Sequence, residues 1–189
     1  MKVIPLHLEE KLRIALAVEH NRTAQQQIYA QFSSKMLGVC RQYIKDVQHA
    51  EDVMISGFMK VFTQLHTFEH KGSFEGWIRR IMIYECIDFL RVKQNQFNHQ
   101  DIEDVILVEK DSAYEMEEFS ADDIQNLIDQ LPDGYKMVFN LYAIEGYKHQ
   151  EIAELLKISE GTSKSQLYHA RKLLQHRIIA LKNTLNGTK

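Results

Sequence analysis

The residues best placed to recognise another molecule lie in "HQEIAELLKISEGTSKSQLYHARKLL", residues 149–174. Thr162, Lys164, Ser165, Gln166, His169, Arg171 and Lys172 fall within about three turns of one helix. Leu167, Ala170, Leu174, Ile178 and Leu181 recur every three or four residues and predict its buried stripe. At about 100° per residue the opposite side carries Thr162, Ser165, His169, Lys172 and His176, flanked by Gln166 and Tyr168. Hydroxyl, amide and imidazole groups can hydrogen-bond base edges. Lys164, Arg171 and Lys172 suit phosphates, which fix register without reading sequence.

Such a helix needs a scaffold, and the preceding residues supply one. Ile152, Leu155 and Leu156 predict the apolar side of a short helix over 149–156, and Ala153 is small enough for a close crossing. Ser159 is a good N-cap for the second helix, with Glu160 in its first turn. Lys157 occupies the turn position that favours glycine, at a cost of about 1 kcal/mol. A small residue, a turn and a cap in this order predict a helix-turn-helix rather than a merely solvated charged helix.

A second basic surface is predicted on the helix over 74–93. Arg80, Tyr84, Ile87 and Arg91 recur along one side, away from Ile78, Met82 and Phe89. Lys71, Gly72 and Ser73 form a basic loop just before Phe74 and Trp77. Cations, aromatics and a loop are the parts of a single-strand binding surface, in which aromatic faces stack bases and cations hold phosphates. The same pattern also suits Phe74 and Trp77 as core residues with the arginines solvated.

Catalytic chemistry finds little support. His66 and His70, with Glu69 between them, lack a third ligand and the spacing of a metalloprotease, and read as structural or exposed residues. No glycine-rich phosphate loop, nucleophile elbow or convergent carboxylate pair stands out. We therefore expect no catalytic residue, metal or cofactor. Cys40 and Cys86 lie within apolar helical patterns and read as reduced, buried thiols of a cytoplasmic protein. No apolar run is long enough to span a bilayer, and the N-terminus lacks the pattern of a secretory signal.

The charge is unevenly distributed. The chain of 189 residues has net charge −3, but residues 1–96 are net +3, residues 97–130 net −10 and residues 131–189 net +4. Helical patterns over 7–20, 24–46, a stretch capped by Asp46, and 74–93 predict one bundle. Ile28, Phe32, Met36, Val39 and Tyr43 anchor one of these helices; Val53, Phe58, Val61, Phe62 and Leu65 anchor the next. Another bundle starts near Ala121, with Pro132 at a helix start. The expected fold is all-α: a helical domain over 1–94, an acidic linker over 95–121 and a helix-turn-helix domain over 122–189. Fully extended, such a linker reaches on the order of 95 Å.

Four stretches, "AEDVMISGFMKVF", "GSFEGWIRRIMIYECIDFLR", "QLPDGYKMVFNLYAIEGYKHQEIAELL" and "ISEGTSKSQLYHARKLL", resemble in order and spacing the extracytoplasmic-function (ECF) type of bacterial sigma factor. The resemblance covers roughly residues 24–94 and 122–176. It implies a specificity subunit of RNA polymerase rather than a stand-alone helix-turn-helix regulator. The first domain would dock on core polymerase through Glu51, Asp52, Ile55, Ser56 and Met59. It would also open the −10 element, held as a single strand, through Lys71, Ser73, Trp77, Arg80, Tyr84 and Arg91. The second would read the −35 element as duplex. The acidic linker would lie in the RNA exit path, and an anti-sigma factor would be a further partner. Ile55 and Ser56 stand where the family usually has Gln and an acid, Tyr84 where it often has Asn, and Lys148 where it has a Ser or Thr cap. A net-acidic chain with two basic units would stay off nonspecific DNA until polymerase tethers both units near their elements.

Overall fold

A computed structural model describes residues 6–96 and 120–186, and every regular element among them is helical. The chain divides into two compact units, Met1–Lys93 and Gln94–Lys189. The expected acidic linker lies almost wholly outside the described residues.

The first unit contains α1 (Leu6–Val18), α2 (Arg22–Tyr43), α3 (Val47–Gln64) and α4 (Phe74–Gln96). Asn21 caps α2 by accepting from the Ala24 N–H at 3.0 Å. Ile28, Phe32, Met36, Val39 and Tyr43 are all buried, as their spacing requires. The helix stops at Tyr43 rather than continuing to residue 46, because Ile44 turns to extended backbone. That turn frees Asp46 to cap α3, where its carboxylate accepts from the His49 N–H at 2.9 Å. Gly57 lets α3 come close to α4: a Cβ there would run into the Met82 thioether.

Beyond α3, a short 3₁₀ turn, Leu65–Thr67, leads into the break before α4. Gly72 takes φ +92°, which an L side chain rarely adopts, and Ser73 then caps α4 by accepting from the Gly76 N–H at 3.0 Å. The apolar side of α4 is wide: Ile78, Ile81, Met82, Ile83, Cys86, Ile87 and Leu90 are buried. This corrects one expectation. Ile87 is only 3% exposed and belongs to the core, not to the outward strip with Arg80 and Tyr84.

The second unit contains α5 (Ala121–Asp129), α6 (Asp133–Phe139), a π-helical turn (Asn140–Ile144), α7 (His149–Leu156) and α8 (Glu160–Asn186). Ser120 and Asp123 form a reciprocal capping box at the start of α5. Pro132 immediately precedes α6. Leu127, Ile128, Leu131, Met137, Val138, Leu141, Ile152, Leu167 and Ala170 build the core. Asp129, Lys136, Asn140 and Ser163 are buried with them.

Candidate nucleic-acid interfaces

The turn between α7 and α8 is built as the residue types require. Lys157 takes φ 57°, the left-handed conformation, and its N–H bonds the Ala153 carbonyl. The Ile158 N–H reaches the same carbonyl at 3.1 Å, closing α7. Ser159 Oγ then accepts from the Thr162 N–H at 2.9 Å and starts α8. The other end of α7 has its own device: Glu151 reaches back to accept from the Lys148 N–H at 2.7 Å, doing part of the work of the missing Ser or Thr cap.

Two flanks of α8 are gripped by the rest of the unit. On one, Gln166 lies against Gly134, and His169 stacks on Tyr135 with ring centroids 5.6 Å apart. On the other, buried Ser163 hydrogen-bonds His149 Nδ1 at 2.9 Å, and Arg171 lies over the Tyr142 ring, 5.5 Å from its centroid. The outward face is therefore centred on Tyr168, which is 52% exposed and which the periodicity places only at a flank of that face. This revises the orientation expected from periodicity. Lys164, Ser165, Arg171, Gln175 and His176 are exposed around Tyr168. Lys172 is half-buried, with its ammonium 5.2 Å from the Tyr168 ring centroid. Thr162, Gln166 and His169 are half-buried at the packed edge, with Thr162 bonded to Ser159.

Lys164 pairs with Glu160 at 2.7 Å, and this holds the Glu160 carboxyl below its ordinary range. Both groups are well exposed, so the pair is weak. Sequence periodicity overlooked Tyr135, Tyr142, His149 and Ser163. Their role depends on which loop meets which helix, and the only local signal was the aromatic content of 135–149.

In the first unit, Arg80 and Tyr84 are exposed one turn apart on α4, with Tyr84 at 41%. Trp77 is half-buried and stacks on Phe74, at 5.9 Å and 13°, while Phe68 packs against both rings. Phe74 is core; Trp77 forms the rim of this aromatic cluster. Lys71 pairs with Glu69 at 2.6 Å in the exposed loop, and Ser73 is used as the α4 cap. Arg91 is half-buried and pairs with Asp88 at 3.2 Å. The structure thus brings Trp77, Arg80 and Tyr84 onto one strip, beside the loop that carries Lys71 and Ser73.

On α3, Glu51, Asp52, Ile55, Ser56 and Met59 are all exposed on one side of the helix. Ile55 is 51% and Met59 65% exposed, so two large apolar side chains one turn apart face outward between charged neighbours. Exposed apolar side chains grouped in this way are the kind of surface that partners cover.

No group of three or more His, Cys, Asp or Glu side chains among the described residues could hold a metal ion. Cys40 and Cys86 are buried, free of disulfides and adjacent. Their mutual hydrogen bond, together with burial, pushes the Cys86 thiol far above its ordinary range, so the thiolate is strongly disfavoured. No described helix is long and apolar enough to cross a membrane.

A closed helix-turn-helix joined in sequence to a second helical unit is an architecture of DNA-binding proteins. Comparison with known proteins resolves the class further. The sigma-70 region 2 family model matches residues 28–96 and the sigma-70 region 4 model residues 121–174, together about two thirds of the chain. RNA polymerase sigma factor SigV of Bacillus subtilis is 29% identical over 133 residues, covering 70% of this chain and 78% of the relative. ECF RNA polymerase sigma factor SigW of the same organism is 26% identical over 182 residues, covering 89% and 96%. Among solved structures, the sigma factor RpoE of Bartonella quintana, in complex with the anti-sigma factor NepR, shares the fold with a TM-score of 0.51 at 20% identity, covering 80% of this chain and 94% of that one. The chain belongs to the extracytoplasmic-function group of bacterial RNA polymerase sigma factors. It is a transcription initiation factor that directs core polymerase to promoters, not an enzyme and not a stand-alone regulator.

Proposed function

We propose that the two units divide the work of initiation in the cytoplasm. The first unit docks on core polymerase through the α3 face of Glu51, Asp52, Ile55, Ser56 and Met59. Its Lys71–Ser73 loop, Trp77, Arg80, Tyr84 and Arg91 capture the non-template strand of the −10 element. Unstacking costs a few kcal/mol per step and is offset when extruded bases rest on aromatic faces and phosphates meet cations.

The second unit reads the −35 duplex with α8. Lys164, Ser165, Arg171 and Lys172 lie on or beside its open face; Thr162, Gln166 and His169 sit at the packed edge, where they can reach bases only along the groove wall. Tyr168 joins the set. The single observation carrying this reading is the open face of α8, cationic around an exposed tyrosine and set on a closed helix-turn-helix scaffold. An anti-sigma factor that withholds the chain from polymerase is the expected regulator.

Run-off transcription with bacterial core polymerase on a promoter library tests the reading. Added protein should raise initiation at a defined promoter subset, and permanganate should detect opened thymines near −10. Unchanged initiation would overturn it, and DNA binding as a dimer without polymerase would replace it with an operator-binding regulator.

A further inference from the structure

We propose that Tyr142 is a positioning residue for Arg171, aiming its guanidinium at the −35 duplex. The inference rests on the reading that α8 meets that duplex, and adds to it a residue outside both the turn and the recognition helix.

Asn140–Ile144 is a π-helical turn that closes with the Glu145 N–H on the Asn140 carbonyl at 3.0 Å. π-helical turns are rare and occur frequently at functional sites. Here Asn140 and Leu141 are fully buried, while Tyr142 is left half-exposed beside α7 and α8.

The ring of Tyr142 has two partners. His149 stacks on it with centroids 4.7 Å apart and 24° between planes, and Arg171 lies 5.5 Å from the ring centroid. His149 is itself held through Nδ1 by Ser163 Oγ at 2.9 Å, and Ser163 is completely buried. The contacts form a circuit: from Ser163 on α8 to His149, to Tyr142, and back to Arg171, two turns further along α8. An arginine has many rotamers, and immobilising it on DNA carries an entropy cost. A ring fixed by a second element removes part of that cost in advance. Lys172 shows the contrast: its aromatic neighbour Tyr168 is on the same helix and exposed, so it restrains less.

Holoenzyme made with the full chain tests this on a promoter duplex selected by the wild type from a pool randomised at −35. Binding is measured across a potassium chloride series. Arg171→Ala should lower the slope of log affinity against log salt by about 0.9, the value of one phosphate. Tyr142→Leu should move the slope the same way and weaken binding by about 2- to 30-fold. The double variant should be no weaker than Arg171→Ala alone. A series of progressively fluorinated phenylalanines at residue 142 preserves shape and folding while draining the ring's negative face, and affinity should fall stepwise along it. A flat series, or losses that multiply in the double variant, would overturn the inference. An Arg171→Ala variant that binds like wild type overturns it too. If Lys164→Ala and Lys172→Ala are equally silent, the assignment of α8 to the duplex falls with it.

Discussion

Lys136 on α6 and Asp129 at the end of α5 form an ion pair inside the second unit, Nζ to Oδ1 3.4 Å, with side chains 4% and 2% exposed. Gln125 adds a hydrogen bond to the same carboxylate oxygen at 3.2 Å. Removing one partner leaves the other charge buried. Lys136→Met or Asp129→Leu should each destabilise the second unit by about 3–5 kcal/mol. Replacing both should cost much less than the two losses combined. Urea unfolding followed by circular dichroism checks the cycle, and additive losses would show that the pair does not act as a pair.

The α3 face is separable from stability. Ile55 and Met59 are exposed and one turn apart. Ile55→Glu and Met59→Glu should leave unfolding within about 0.5 kcal/mol of wild type. Each should nonetheless reduce co-purification with core polymerase severely, because a charge is forced into an apolar contact. Normal polymerase binding by both variants would place docking elsewhere.

On α4, neighbouring positions should behave oppositely. Tyr84→Ala should slow promoter opening, with a loss of about 1–3 kcal/mol if a base stacks there, and Tyr84→Phe should retain it. Ile87→Ala, one turn on, should instead cost about 2–5 kcal/mol of folding stability. Permanganate reactivity reports the first effect and thermal melting the second.

The −35 face carries a graded expectation. Ser165→Ala and Tyr168→Ala should change which −35 sequences a randomised pool yields, by about 1–3 kcal/mol at a contacted base. Lys164→Ala should weaken all sequences alike and lower the salt slope by about one. His169→Ala should show a mixed result, loosening the packing on Tyr135 as well as altering preference. Equal, sequence-independent losses from all four would remove base reading from this face.

Cys86 gives a pH test. Its thiol is raised by Cys40 and by burial, so the folded protein keeps the proton at pH values where the unfolded chain releases it. The associated stability is complete below the ordinary thiol range and is lost as pH rises above it, by up to about 1.4 kcal/mol per pH unit. Cys86→Ala should flatten that alkaline decline. Native protein at pH 8 should react with iodoacetamide far more slowly than urea-unfolded protein; equal rates would contradict the burial.

What local chemistry dictates was legible in the order of residues. Apolar positions three and four apart located the helices. Asp46, Ser159 and Pro132 marked helix starts, and Lys157 marked a left-handed residue, because caps and turns depend on one to four neighbouring residues. The rotation of α8 about its own axis was not fully legible. Leu167 and Ala170 are buried as their spacing requires, and Ser163 joins them with a hydrogen bond to His149, but where the exposed side is centred depends on what packs against each flank. Ile87 was misread for the converse reason, since α4 is apolar around more of its circumference than one stripe and packing alone decides where exposure stops. The contact between Tyr142, in the π-helical turn, and Arg171 on α8 is likewise tertiary, and no spacing in the chain announces it.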